Sequence, residues 1–173
     1  MSKSLIPILL IILILPGCEK DKIPLSGTVT IDNTLQGTTT YYAMGFSFEK
    51  AAKVSTLQQQ GYDIVITNDG TTANLILQAN NYRDSFYLAG QYNDEAAAKQ
   101  AFAALNSPVV NNWVVWAFGI RPNQIWIYRT DKDTYAKIRI ISTESLSRPP
   151  RDFAACTLEW AYQPDGTLTF PGK

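Results

Sequence analysis

The sequence predicts a mainly β protein carrying one short helix. Short runs of β-branched and aromatic residues recur along the chain, and Gly, Asn, Asp or Pro punctuate the gaps between them. Only one segment repeats its apolar residues with helical spacing.

Taken in order, Thr28-Val29-Thr30-Ile31 alternates as a strand does, and Tyr41 to Phe48 is dense in aromatics. Tyr62 to Thr67 leads into a turn at Asn68-Asp69-Gly70, and runs from Ala73 to Gln78 and from Ser85 to Gln91 follow. The helix is expected over about residues 94–105. Ala98, Ala101, Phe102 and Leu105 fall at i, i+3, i+4 and i+7 and share one face. Asn93 is placed to cap it, Asp94 and Glu95 suit its positive end, and the alanine-rich stretch favours helix. Asn106-Ser107-Pro108 ends it. Further strand runs are Trp113 to Phe118, Gln124 to Thr130, Tyr135 to Ser142, Thr157 to Tyr162 and Thr167 to Phe170. The last two flank Gln163-Pro164-Asp165-Gly166, a turn signal that predicts a terminal hairpin. The chain carries no internal repeat and no low-complexity tract.

One pairing can be argued in register. A four-residue loop, Asp131 to Thr134, sets Thr130 opposite Tyr135. Ile127 then faces Ile138 and Ile125 faces Ile140 on one side, while Tyr128 faces Lys137 and Trp126 faces Arg139 on the other. A slip by one residue sets the isoleucines against Lys137 and Arg139, which favours the first register. The expected product is an aliphatic face backed by an aromatic and basic one. Such a face suits a flat anionic ligand held by stacking and charge. It equally suits a solvated sheet face on which Lys and Arg stems cover aromatic rings.

The N-terminus predicts export. Lys3 precedes an apolar run from Leu5 to Leu15, shorter than the ~20 residues needed to span a bilayer. Leu15-Pro16-Gly17-Cys18 follows directly, with small residues before a cysteine. Residues 1–17 therefore read as a removable signal peptide, and Cys18 as the lipidation site. Lipid chains on Cys18 supply the more-than-one-chain anchoring that stable membrane attachment requires. Residues 18–27 form a tether. Its charged stretch Glu19-Lys20-Asp21-Lys22 reads either as a sorting signal or as a solvated linker. Residues 28–173 form a single domain, large enough to bury a core without disulfides.

Composition narrows the function. The whole chain holds 15 basic and 15 acidic residues, and only Lys3 leaves with the leader, so nucleic acid is not an expected partner. There is no histidine, the commonest general base and metal ligand. With Cys18 acylated, Cys156 is a lone thiol in a strand-like run, expected to be structural. No phosphate-binding glycine loop appears. Asp63, Asp84, Asp152 and Glu159 lie far apart, and their spacing marks no acid/base pair. An enzyme is not expected.

Three stretches resemble the HmuY-like lipoproteins, haem-binding surface proteins of Bacteroidetes. They are Val29 to Asp32 with Tyr41 to Phe48, then Gly61 to Gly70, and finally Ile127 to Thr130 through Tyr135 to Ile140 with Thr157 to Gly166. The resemblance covers most of the mature chain. It implies an antiparallel β-sandwich or barrel-like domain with a minor helical part. It also implies a haem pocket serving an outer-membrane receptor, and a lipid-anchored place on the outer membrane. The family holds haem iron through two histidines or two methionines on loops before the closing strands. Here histidine is absent, and Met44, the only methionine of the mature chain, matches neither position. Haem is then left to a tyrosinate, with Tyr82, Tyr87, Tyr92 and Tyr128 as unranked candidates, or to stacking with its propionates near Arg121, Lys137 or Arg139, or else the pocket is turned to another ligand. The expected ligand residues are Trp116, Arg121, Trp126, Tyr128, Lys137 and Arg139, and no metal ligand is assigned. Two other readings stay open: a surface protein that holds a partner protein or glycan, and a structural envelope lipoprotein.

Overall fold

The computed structural model describes residues 22–58, 61–70 and 74–170. Cys18, the leader and residues 19–21 of the predicted tether lie outside them. The described residues form β1 (Ser26–Asp32), β2 (Met44–Ser47), β3 (Ala52–Ser55), β4 (Ile64–Asn68), β5 (Leu75–Ala79), β6 (Phe86–Gln91), α1 (Glu95–Ala104), β7 (Trp116–Phe118), β8 (Gln124–Arg129), β9 (Tyr135–Leu146) and β10 (Phe153–Gln163). β1 starts within the stretch predicted as tether, where the carbonyl of Leu25 already accepts from the Tyr162 N–H.

Two five-stranded antiparallel sheets face each other as a sandwich, not a closed barrel. The first runs β1-β10-β9-β8-β6 and the second β3-β2-β4-β5-β7. Alternation along each strand sends one set of side chains into the gap. Tyr128, Ile138, Ile140, Leu158 and Trp160 point in from the first sheet, and Phe46, Ile64, Ile66 and Leu77 from the second. Rings fill the centre: Phe46 meets Phe48 edge-on at 5.3 Å between centroids, and Phe48 lies 5.5 Å from Tyr128. Such contacts add about 0.5–1.5 kcal/mol each beyond the burial of area.

Part of the outer face of the first sheet is covered too. Phe102 of α1 packs on Ile125 and Ala161, with Ala101 and Leu105 beside it, so the predicted apolar face is the one buried. Asp94, rather than Asn93, caps the helix, its carboxylate accepting the Ala97 N–H at 2.8 Å. The C-terminal end is held from the sheet. Lys137 Nζ donates to the carbonyls of Phe102 at 2.8 Å and Leu105 at 3.0 Å, and lies 4.8 Å from the Phe102 ring centroid. A cation thus sits where the helix leaves its carbonyls unpaired and its dipole is negative.

One expectation is corrected, and one strand goes unpredicted. Thr167 to Phe170 is not a strand. The Asp165 carboxylate accepts both the backbone N–H and the hydroxyl of Thr167, at 2.8 Å each, which turns the chain aside. It runs instead to the helix end, where the Phe170 N–H donates to Asn106 and the ring is buried near Lys137. The sequence also gives no sign of β3, because only Val54 of its four residues is buried and no alternation shows.

Replacing Lys137 with Met keeps the stem and removes the charge that ties α1 to the sheet. The expected loss of stability is about 1–3 kcal/mol, the range for leaving buried carbonyls unsatisfied. Urea denaturation followed by circular dichroism measures it.

Candidate functional site

The β8–β9 register differs from the expected one by a single residue. The loop is Asp131-Lys132-Asp133, three residues, closed by the Thr130 N–H on the Thr134 carbonyl at 2.9 Å. Asp133 takes a positive φ of 56°, the left-handed third position that such loops need, and Asp tolerates it better than most residues. The two threonine hydroxyls meet at 2.7 Å and lock the pair. Ile127 therefore pairs with Lys137, Ile125 with Arg139, Trp126 with Ile138 and Tyr128 with Ala136.

That slip separates the expected ligand residues. Trp126 and Tyr128 turn into the sandwich, while Lys137 and Arg139 turn outward beneath α1 and Glu159. Arg139 is buried, and its Nε donates to Glu159 Oε2 at 2.9 Å. Lys137 is committed to the helix. Tyr128 is buried in the core with its hydroxyl donating to the Asp63 carbonyl at 3.0 Å, and burial raises its pKa, so it is no tyrosinate ligand. The preference for the other register assumed one wet face. Both faces of β8 and of the stretch of β9 that pairs with it are covered, and the charges on the outer one are bonded to carbonyls or to Glu159.

An aromatic and basic cluster does exist on the outer face, made of other residues. The Arg129 guanidinium lies 4.9 Å from the Trp113 ring centroid, Trp113 stacks on Tyr135 at 6.2 Å, and Tyr87 meets Trp113 edge-on at 6.5 Å. Arg129 Nη2 also donates to the Asp84 carbonyl at 2.6 Å. All four side chains are half-buried, so Trp113 seals this face rather than leaving a platform.

An apolar concavity lies at the corner between the sheets. The N–H and carbonyl of Val114 bond with those of Phe86 in β6, at 2.8 and 2.9 Å, and two residues later the chain joins β5 as β7. Residues 113–118 thus step from one sheet to the other. Within β7 only Ala117 turns inward, which leaves Trp116 38% and Phe118 54% exposed, edge to face at 5.5 Å. These two, with Val114, Val115 and Trp126, line a cleft of about 570 Å³. Trp126 forms part of the lining, its indole N–H held by Gln124 Oε1 at 3.0 Å. The same oxygen accepts the Arg121 N–H at 3.2 Å, and the Arg121 guanidinium is bound to Gln91 Oε1 at 3.0 Å. Of the six expected ligand residues, Trp116 and Trp126 meet here. Arg121 adjoins them through Gln124, and Tyr128, Lys137 and Arg139 are elsewhere.

The cleft size falls within the range of small-molecule pockets. Its lining suits a flat apolar molecule held by dispersion and ring stacking. It offers no His, Cys, Met or Tyr, so iron coordination does not fit it. Met44 is half-buried at the start of β2, and Cys156 is buried, its thiol pushed up to about 12 by burial. Among the remaining tyrosines, Tyr82 is exposed and Tyr92 packs beside α1. Among the described residues no group of three metal-ligating side chains comes together.

A second, small polar recess of about 40 Å³ is lined by Ser47, Glu49, Tyr62, Asp63, Asp131 and Lys132, among others. Asp63 Oδ2 accepts the Phe48 N–H at 2.7 Å, which favours its charge. Burial outweighs that bond and raises its pKa from 3.8 to about 6.

The chain matches no protein-family model and no curated protein sequence.

Between pH 3.8 and about 6 the folded protein keeps the Asp63 proton that the unfolded chain has released. Stability contributed by this group is therefore fully present below pH 3.8 and falls as pH rises toward 6. The expected change is about 3 kcal/mol. Asp63→Asn keeps the acceptor for Phe48 and removes the charge. The difference in urea midpoint between variant and parent should grow from pH 4 to 6 and then stay level; a constant difference counts against this account.

Proposed function

We propose that the protein is a lipid-anchored envelope binding protein, without catalytic chemistry, that holds a flat and largely apolar ligand in the Trp116 cleft. The observation that carries this reading is the exposed Trp116–Phe118 pair over an apolar recess, in a chain whose other large rings are mostly packed away. Rings left in water beside a cleft cost solvation free energy that a bound ring recovers. The sequence before Cys18 supports attachment to a membrane by lipid, and the resemblance to HmuY-like lipoproteins favours the outer membrane. The resemblance to HmuY-like lipoproteins favours a porphyrin as the ligand class, with haem as the natural form and an outer-membrane haem receptor as the recipient. With no ligating side chain in the lining, the ring is held by stacking alone.

A second reading rests on β7 being a three-residue edge strand with two outward aromatics. Such an edge can pair with an extended segment of a partner protein, the rings filling that segment's side-chain spaces.

Titrating the full-length chain in a neutral detergent with haemin and with metal-free protoporphyrin tests the first reading. Both should quench tryptophan fluorescence with similar affinity at one equivalent. Trp116→Ala or Phe118→Ala should weaken both by roughly tenfold, the effect of about 1.4 kcal/mol of lost contact. Haemin binding far tighter than the metal-free ring points to coordination and sinks the stacking model. Binding of neither ring leaves the strand-pairing reading in possession. For the anchor, Cys18→Ser should move the protein from the membrane fraction to the soluble one.

A further inference from the structure

The tip of the β9–β10 hairpin carries a separate cleft, of about 240 Å³, flanked by Arg148 and Arg151 and lined also by Leu35 and Phe153. Its frame is bonded from several sides. The Arg151 N–H donates to the Arg148 carbonyl at 2.9 Å, so the two arginines stand at the ends of one four-residue turn. Asp152 holds the base: its carboxylate accepts from Ser147 Oγ at 3.2 Å and from the Arg148 N–H at 3.1 Å. The Asp152 carbonyl accepts from Asn33 at 2.9 Å and from Asn68 at 3.4 Å, which ties the tip to β4 of the second sheet. The neighbouring Asp32 carboxylate is taken by the Thr34 N–H at 2.9 Å. Both carboxylates beside the cleft are thus engaged with groups of their own loops.

The guanidiniums are not. The chain has six arginines. Four are used inside the molecule: Arg83 on Asp133, Arg121 on Gln91, Arg129 on Asp84 and Arg139 on Glu159. Among the described residues, Arg148 and Arg151 have neither an ion pair nor a side-chain hydrogen bond, and both are exposed. A guanidinium presents several N–H donors in a planar fork that matches the oxygens of phosphate and carboxylate. Two of them on a fixed turn, beside apolar Leu35 and Phe153, fit an anionic head with a short apolar stem.

We propose that this tip is an anion-recognition site, taking a phosphate or carboxylate head between Arg148 and Arg151 with its stem against Leu35 and Phe153. β9 is twelve residues long, which at about 3.3 Å per residue sets the tip roughly 40 Å from the end where β1 begins. Where the lipid anchor precedes β1, the site faces away from the membrane. That orientation rests on the anchor reading, whereas the site itself does not.

The test uses the full-length chain in neutral detergent, titrated with inorganic phosphate and with hexyl phosphate while backbone amide resonances are followed. Resonances of Arg148, Arg151, Asp152 and Phe153 and of Thr34 and Leu35 should shift and saturate, with a dissociation constant on the order of millimolar. Hexyl phosphate should bind several-fold more tightly than phosphate. The double substitution Arg148→Gln with Arg151→Gln should weaken both by roughly tenfold. Trp116→Ala should leave both unchanged, which separates this site from the apolar cleft. An unaltered urea midpoint shows that the double variant is folded. Shifts that fail to saturate by about 20 mM, or that persist in the folded double variant, overturn the site. Equal affinity for the two phosphates overturns the apolar subsite.

Discussion

The register between β8 and β9 governs the arrangement of the first sheet, and one pair of threonines sets it. Thr130 and Thr134 close a three-residue loop, and their hydroxyls and backbone hold each other across it. In a structure with a side-chain period of two, that choice decides which residues enter the core. It sends Trp126 and Tyr128 between the sheets, where Tyr128 packs on the Phe48 ring and Trp126 lines the corner cleft. It sends Lys137 outward, where α1 needs a cation, and Arg139 outward to Glu159. With a four-residue loop, the helix would lose its anchor and the sandwich would lose two of its rings.

Much of the architecture was legible because local chemistry and tertiary packing agree. Asp94, the alanines and the Ala98-Ala101-Phe102-Leu105 spacing all specify the same helix, displaced by one residue at the cap. Most strands announced themselves by alternation or aromatic content. β3 did not, since a partly exposed strand with a single buried valine has no pattern to show. The terminal hairpin was misread because Asp165 satisfies Thr167 locally and diverts the chain. The site was legible only in part. Trp126, Tyr128, Lys137 and Arg139 are expected together on one aromatic and basic face; the observed register divides them, and Trp126 turns inward to meet Trp116 at the cleft. A buried lysine bonded to helix carbonyls looks, in sequence, the same as a lysine awaiting a ligand. The Arg148 and Arg151 pair is not legible in the sequence, because its meaning depends on the commitments of the other four arginines, which only the fold displays.

Four polar side chains of the interior share one arrangement. Lys137, Arg139, Gln124 and Asn33 are nearly inaccessible to water, and each is bonded to a carbonyl, a carboxylate, an indole or a backbone N–H. Asp63 is the exception in degree: one short bond to Phe48 does not offset the loss of solvent around its carboxylate. The outer face of the first sheet can therefore be both charged and buried, a combination that a simple inside–outside reading does not allow.

The step taken by residues 113–118 has a thermodynamic side. Trp113 seals the outer face of the first sheet, Val114 bonds to its edge, and Trp116 to Phe118 complete the second sheet. The wall of the cleft is thus also the seam of the sandwich. A molecule seated against that wall and a sandwich held shut along that seam are linked equilibria, so occupancy and cohesion of the two layers rise and fall together.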